Sequence, residues 1–292
     1  MTQLFQMNVE GYSYTGLKRL EAGGYGEVFL ARQEPGDRIV VMKVIDKHKD
    51  ESVQYRFQCE VMAGKVLEGV EGVVRTLHFF ESPRHYWLVT DFLEGGDLFQ
   101  HMEQEGPMDE DTIKDVMRQL LRTLKQCHLA GIAHKDIKPE NIVFDRNTNH
   151  VSLLDFGLCS HFDATLSDHT TDRAGSVEYS APEIKMGRQV HFSSRCLDVW
   201  SLGATCLAAL YNHIPAVTLK SMKDVYCGKR TMLDALKPTS TTIHISEQAE
   251  DFLSRATEVQ PSKRATVDEL LAHPFLRTKE EQNIPKARRM SL

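Results

Sequence analysis

The chain has 292 residues, 41% hydrophobic and 26% charged, with a formal net charge of −6. That length supplies one large domain or two lobes, and that apolar content builds a buried core, which sets wholesale disorder aside. The acidic balance argues against nucleic acid as the main partner but leaves room for a basic protein substrate.

Six cysteines stand at positions 59, 127, 159, 196, 206 and 227, none in a Cys-x-x-Cys pair. No zinc site is expected, and reduced thiols in a cytoplasmic or nuclear setting are. The longest apolar stretch, 197–211, contains Asp198 and is too short to span a bilayer, so it reads as a buried helix and no membrane partner is expected.

Residues 1–13 read as a short leader. From 14 to about 45 the pattern is strand-like: Val28-Phe29-Leu30-Ala31, the turn Gln33-Glu34-Pro35-Gly36-Asp37, then Ile39 through Ile45. Residues 52–67 read as a helix, and 73–80 and 86–90 return to strand character. Asp91-Phe92-Leu93-Glu94-Gly95-Gly96 is a connector. Helices are predicted over 97–104, 109–130, 195–211, 246–257 and 266–272. Asp109 precedes a stripe of Ile113, Val116, Met117, Leu120, Leu121 and Leu124, which predicts an N-cap and a core-facing helix. Residues 278–292 form a polar tail, and the sequence holds no internal repeat.

Three groups of residues carry chemistry. Leu20-Glu21-Ala22-Gly23-Gly24-Tyr25-Gly26-Glu27-Val28 is a glycine-rich turn before a strand. Without Cβ atoms its amides can approach phosphate oxygens, although glycines alone also mark an ordinary hairpin. Lys43 follows on the next apolar strand, in Val40-Val41-Met42-Lys43. His134-Lys135-Asp136-Ile137-Lys138-Pro139-Glu140-Asn141 is followed by Asp155-Phe156-Gly157, then by Ala181-Pro182-Glu183. Two carboxylates, a lysine and an amide on neighbouring loops are the set that moves a phosphoryl group from Mg-ATP to a hydroxyl.

In this order the motifs resemble those of eukaryotic protein kinases, over residues 14–277. The resemblance implies an α+β, bilobal protein kinase fold: a small β-rich N-lobe (14–90), a hinge (91–96) and a larger, mainly helical C-lobe (97–277). It implies ATP and Mg²⁺ as cofactors and proteins with Ser/Thr acceptors as partners. Lys138-Pro139-Glu140-Asn141 and Gly175-Ser176-Val177-Glu178-Tyr179 resemble the serine/threonine type. Glu94-Gly95-Gly96-Asp97-Leu98-Phe99 and His273-Pro274-Phe275 look most like the calcium/calmodulin-dependent group or its AGC neighbours.

Carried over on this resemblance, Asp136 orients the acceptor hydroxyl and takes its proton, Lys138 stabilises the γ-phosphoryl, and Asn141 and Asp155 hold Mg²⁺ through hard oxygens. Gly23, Gly24, Tyr25 and Gly26 form the phosphate loop, and Lys43 bridges the α- and β-phosphates. Glu60 is the helix partner of Lys43, or else an exposed helix glutamate. Leu20, Val28, Val41 and Val143 join the nucleotide-binding set, with Val41 where a small alanine is usual. Thr90 is the gatekeeper, Asp91 and Leu93 bound the hinge backbone offered to adenine, and Asp97 either reaches the ribose or caps a helix. His134 is expected to pack on Phe156, the Ser176 hydroxyl to bond Asp136 and Lys138, Glu183 to pair with Arg264, and Asp198 to hold the catalytic loop from below.

Four positions depart from the pattern: Glu21 for the first loop glycine, Val41, Gly64 for a large apolar residue one turn past Glu60, and Lys135 for arginine. They feed an alternative, a pseudokinase scaffold that binds nucleotide or partners without efficient catalysis. Retention of Lys43, Asp136, Lys138, Asn141 and Asp155 weighs against it, and Ala181-Pro182-Glu183 with Arg264 weighs against a small-molecule kinase. Lys135 keeps the charge of arginine without its fork. Two expectations follow: Asp172 pairs with Lys135 while Arg173 helps to order the loop, or Asp172 is solvated and Thr170 or Thr171 is phosphorylated. Asp97 and Glu140 resemble acids that select arginine upstream of the acceptor. Arg288-Arg289-Met290-Ser291 is a basic match for an autophosphorylation or pseudosubstrate site, or a solubilising tail.

Overall fold

Alternating apolar and polar residues build a six-stranded antiparallel sheet in the order β1-β2-β3-β4-β6-β5. Its strands are β1 (Gln6–Val9), β2 (Tyr12–Gly23), β3 (Gly26–Glu34), β4 (Arg38–Asp46), β5 (Thr76–Glu81) and β6 (His85–Asp91), with helix α1 (Val53–Val66) inserted before β5. The computed structural model describes residues 4–277 except 24–25, 166, 174, 187–190, 216–217, 228 and 240. The period of two sorts the central strand. Val40 and Met42 join Tyr14, Ala31 and Val89 in one buried cluster, so Val41 and Lys43 face the other way. Register places Val28 opposite Lys43, Lys43 opposite Leu88 and Val41 opposite Thr90, which gathers these side chains on the face toward the second lobe.

Part of the stretch read as a leader, 1–13, is a paired strand. Residues 6–9 are strand β1, with Met7 opposite Tyr14. Phe5 packs edge-on against Phe29 at 5.2 Å and tilted against Trp87 at 5.9 Å. Four alternating residues are too short a pattern to declare a strand; pairing with the long β2 and the anchoring of Phe5 decide it.

Past the connector the chain is mainly helical. α2 (Leu98–Glu105) is capped by Asp97, which accepts from the Gln100 amide at 2.8 Å. α3 (Glu110–Leu129) is capped by Asp109, which accepts from Thr112 N at 2.9 Å, and it buries the predicted stripe from Ile113 to Leu124. Short strands follow: β7 (Ile132–Ala133), β8 (Ile142–Asp145), β9 (His150–Leu153), β10 (Ser160–His161) and β11 (His169–Thr170). β8 pairs with β9 and β7 with β10, which fixes the loops between them. α4 (Pro182–Met186) and β12 (Phe192–Ser193), paired with β11, lead into α5 (Ser194–Tyr211), buried along almost its whole length. α6 (Leu219–Tyr226), α7 (Met232–Leu236), α8 (Glu247–Ala256) and α9 (Val267–Leu271) complete this lobe. α6 and α7 are outside the sequence prediction because each is short; their signal is the capping threonine, Thr218 or Thr231, bonded three residues on. Among the described residues no helix is long and apolar enough to cross a membrane.

Candidate active site

The sheet face and the loops of the helical lobe enclose one cavity, lined in part by Glu21, Gly26, Val28, Val41, Lys43, Glu60, Thr90, Asn141 and Asp155. Gly26 has φ +143°, and a Cβ there would meet the Val44 carbonyl oxygen at 2.4 Å, so only glycine lets β3 start this close to β4. Gly23 lies opposite Gly26 at the other end of the turn; Gly24 and Tyr25 lie outside the described residues. Leu20 is 43% exposed and does not line the cavity. Leu93 and Val143 do not line this cavity; they line a separate recess with Glu94 and Asp145. Asp91 ends β6 and is ion-paired to Arg38. Asp97 uses its carboxylate on Gln100, as the cap alternative has it, and burial pushes that carboxyl up.

Lys43 is the cation at the centre. It pairs with Glu60 and, at 3.1 Å, with Asp155. Glu60 is 5% exposed, so the exposed-glutamate alternative is set aside. The alternation that turns Lys43 off the core and the α1 face that carries Phe57 and Ala63 bring the two together. Burial works against the lysine charge, but Asp155 and Glu60 outweigh it and hold Lys43 above the usual lysine range. Burial would raise Asp155; the ammonium of Lys43 overrides it and holds that carboxyl well below its usual value. Burial pushes Glu60 up to about 7, with Lys43 pulling it back. One cation serves two carboxylates, and Glu60 bears the desolvation penalty. Asp155 sits at φ +57°, and its Oδ1 accepts from Gly157 N at 3.1 Å.

Asp136 and Lys138 form a second cluster. Lys138 Nζ lies 3.1 Å from Asp136 Oδ2 and donates to Ser176 Oγ at 2.8 Å. Ser176 N donates to Asp136 Oδ1 at 2.7 Å. The expectation that the Ser176 hydroxyl bonds both groups is thus corrected: the hydroxyl serves Lys138, and the backbone amide serves Asp136. Asn141 Nδ2 donates to Asp136 O at 2.8 Å and to Asp136 Oδ2 at 3.2 Å. Burial disfavours the Lys138 charge, but Asp136 beside it raises the lysine overall.

The loop is held from beneath. Asp198, fully buried, accepts from His134 N at 2.9 Å and from Lys135 N at 2.7 Å, and meets His128 Nε2 at 2.8 Å. His134 Nδ1 accepts from Asp136 N at 3.1 Å, so its ring proton is on Nε2, which donates to Leu154 O at 2.7 Å. Both nitrogens are spent on backbone, and the ring stands edge-on to Phe156 at 4.6 Å. Lys135 Nζ donates to Asp172 Oδ2 at 2.5 Å. Arg173 lies over the Phe192 ring at 5.6 Å. Arg264 grips Glu183 with two parallel bonds of 2.8 and 2.9 Å.

Leu88, Val74, Thr76 and Leu154 also line the cavity and were missed. Leu88 carried a signal, two residues before Thr90 on one strand face. The Gly64 position is filled from outside: a Cβ there would meet Thr76 Oγ1 at 2.5 Å, so the glycine admits β5 against α1.

Comparison with known proteins agrees with this geometry. Residues 14–276 match the protein kinase domain family. The chain is 31% identical over 257 residues to maternal embryonic leucine zipper kinase of Xenopus tropicalis, covering 87% of this chain and 37% of that protein. It is 30% identical over 262 residues to the SNF-related serine/threonine-protein kinase of Homo sapiens, covering 89% of this chain and 33% of that one. It is 30% identical over 278 residues to the serine/threonine-protein kinase cds1 of Schizosaccharomyces pombe, covering 92% and 59%. The chain thus spans less than two thirds of the length of these relatives. A two-lobed fold, the shared cavity and a family match over nearly the whole described length lead to one assignment: the chain belongs to the protein kinase family, among its serine/threonine members and in the neighbourhood of the calcium/calmodulin-dependent and AGC groups.

Proposed function

We propose that the chain transfers the γ-phosphoryl of Mg-ATP to serine or threonine hydroxyls of protein substrates, favouring basic sequences. One arrangement carries the proposal: Lys43 paired with Glu60 and Asp155, facing Asp136 and Lys138 across one cleft. Lys43 would bind the α- and β-phosphates and Lys138 the γ-phosphoryl. Asp136, oriented by Ser176 N and Asn141, would hold the acceptor hydroxyl and receive its proton. Placement and charge neutralisation dominate such a reaction, because its transition state is loose.

The donor set fits Mg²⁺. Asn141 makes both of its side-chain hydrogen bonds through Nδ2, which leaves Oδ1 as a neutral oxygen donor, and Asp155 is held ionised. Both are hard oxygen ligands. Bound there, Mg²⁺ would neutralise charge on the phosphates.

The preference for basic sequences is supported by Asp97 and Glu140. Partial burial raises Asp97; Glu140, exposed at the surface though partly desolvated, is raised by that desolvation, with Asp136 and Asp97 adding like charge against the pull of Lys138. An arginine arriving upstream of the acceptor would relieve both. A second reading, a nucleotide-binding scaffold, draws on one observation: Glu21 lines the cavity and so puts an acid beside the phosphate loop. The test is γ-phosphate transfer from Mg-ATP to an Arg-Arg-x-Ser peptide, with Asp155→Asn as control. Transfer lost in the control is expected; no transfer from folded wild type to broad peptide pools would favour the scaffold.

A further inference from the structure

The nucleotide cleft carries a carboxylate that phosphoryl transfer does not use. In β2 the pairing with β3 slips between Arg19, opposite Phe29, and Glu21, opposite Val28, so Leu20 is an extra residue with no partner across the ladder. A bulge of this kind re-aims the side chains beside it. Leu20 is left 43% exposed, and Glu21 takes the place beside Val28 on the cleft wall. Val28 is in turn opposite Lys43, so Glu21, Val28 and Lys43 form one row across three strands. At the usual strand spacing the acid and the lysine stand about 10 Å apart at the backbone.

Glu21 lines both the cavity that reaches Val41 and Thr90 and the cleft that holds Asp136 and Lys138. A nucleotide with its base against Val41 and Thr90 and its phosphates at Lys43 has its sugar between the two. An ionised carboxylate only accepts hydrogen bonds. Phosphate oxygens offer it nothing, whereas ribose hydroxyls donate. Among the described residues the Glu21 carboxylate has no hydrogen bond or ion pair of its own. Asp97, the other carboxylate considered for the sugar, does not line the cavity, and both of its oxygens accept from Gln100, at 2.8 and 2.6 Å.

We propose that Glu21, in place of Asp97, recognises the sugar of the nucleotide by accepting a hydrogen bond from a ribose hydroxyl. The proposal rests on the nucleotide-binding reading of this cleft and adds to it a choice of sugar. The substitution of an acid for the first loop glycine then has a use: the bulge at Leu20 delivers the carboxylate to the only part of the nucleotide between base and phosphates that can donate to it. A hydrogen bond to a charged acceptor is worth about tenfold or more in affinity.

The test is calorimetric titration of the folded full chain with ADP, 2′-deoxy-ADP and 3′-deoxy-ADP in the presence of Mg²⁺, which reads binding and needs no turnover. Wild type should bind at least one deoxy form about tenfold more weakly than ADP. Glu21→Ala should bind ADP about tenfold more weakly and lose the discrimination. Glu21→Gln, which keeps a neutral acceptor, should fall between. Asp97→Asn, which keeps a capping oxygen for α2, should discriminate as wild type does. Glu21→Ala that binds ADP as tightly as wild type, or more tightly, would overturn the proposal, since an acid that merely repels phosphates gives that result. Discrimination abolished by Asp97→Asn would overturn it too. Wild type that binds all three nucleotides alike defeats the sugar contact and leaves the nucleotide site standing; wild type that binds none defeats the site and the contact together. The wild-type comparison needs no variant, so it decides even where a variant fails to fold.

Discussion

Lys135 Nζ, in a side chain only 1% exposed, donates to Asp172 Oδ2 at 2.5 Å across 37 residues of sequence. The ammonium would be buried without a partner were the segment that bears Asp172 to swing away. The lysine backbone, at φ +67°, is itself tied to Asp198. A residue of the activation segment is thereby pinned to the catalytic loop by a fixed charge rather than an added phosphate. Phosphatase-treated wild type should keep its peptide-phosphorylating activity. Asp172→Asn should lower kcat/KM about tenfold, the cost of leaving one side of a part-buried ion pair unmatched. Inactive dephosphorylated protein that recovers with phosphate on Thr170 or Thr171 would sink the idea.

Glu60 gives a pH signature. Its folded pKa, about 7, lies above the ordinary carboxylate value of 4.5 because it is buried. A carboxyl raised on folding binds its proton more tightly in the native state, so stability is lost as pH rises through the interval between the two values. The loss begins above about 4.5 and is complete above about 7, on the order of 3 kcal/mol in all. Glu60→Gln carries no such titration. Melting curves of wild type and variant should therefore diverge in the variant's favour between pH 5 and pH 8. The same substitution should lower kcat/KM for ATP at pH 8, because Lys43 loses an anionic partner. Parallel Tm profiles across that range would rule out the titration.

Glu183 and Arg264 are a stability pair. The arginine side chain is fully buried, forks onto the carboxylate, and lies 5.1 Å from the Trp200 ring. Glu183→Gln removes the anion and leaves a guanidinium in the core, at a cost of about 3–5 kcal/mol. A fall in Tm of about 6–20 °C is expected by calorimetry. Arg264→Lys should recover only part of the wild-type value, since lysine lacks the fork.

The legible part of this molecule is what local chemistry dictates. The stripe from Ile113 to Leu124 announced α3, and Asp109 its cap, because helical period and capping are read within a few residues. The motifs that carry Asp136, Lys138, Asn141 and Asp155 are contiguous in the sequence, and the fold brings these four residues to one cleft. What escaped depends on distant partners. β1 is a strand because β2 receives it, and the Ser176 amide, rather than its hydroxyl, meets Asp136 because the backbone path there is set by the whole loop. Cys159 Sγ meets the Cys59 carbonyl oxygen at 3.7 Å, joining residues 100 positions apart through the packing of α1, which no local pattern encodes.

Gly64 shows how such a distant partner can be tested. Read from sequence, a glycine in the last turn of α1 loosens the helix, at about 1 kcal/mol relative to alanine. In the fold it does something further: the missing Cβ is the space that Thr76 Oγ1 occupies, 2.5 Å from where that Cβ would stand. β5 and α1 therefore approach more closely than a larger residue allows, and α1 is the element that presents Glu60 to Lys43. Gly64→Leu should push α1 outward, raise KM for ATP and lower kcat about tenfold, as expected when a positioning contact is displaced by about an ångström. Adding Thr76→Ala removes the obstructing hydroxyl and methyl and should restore much of the loss. The double-mutant cycle should then give a coupling of about 1–2 kcal/mol between the two sites. Additive effects would show that the glycine acts on the helix alone.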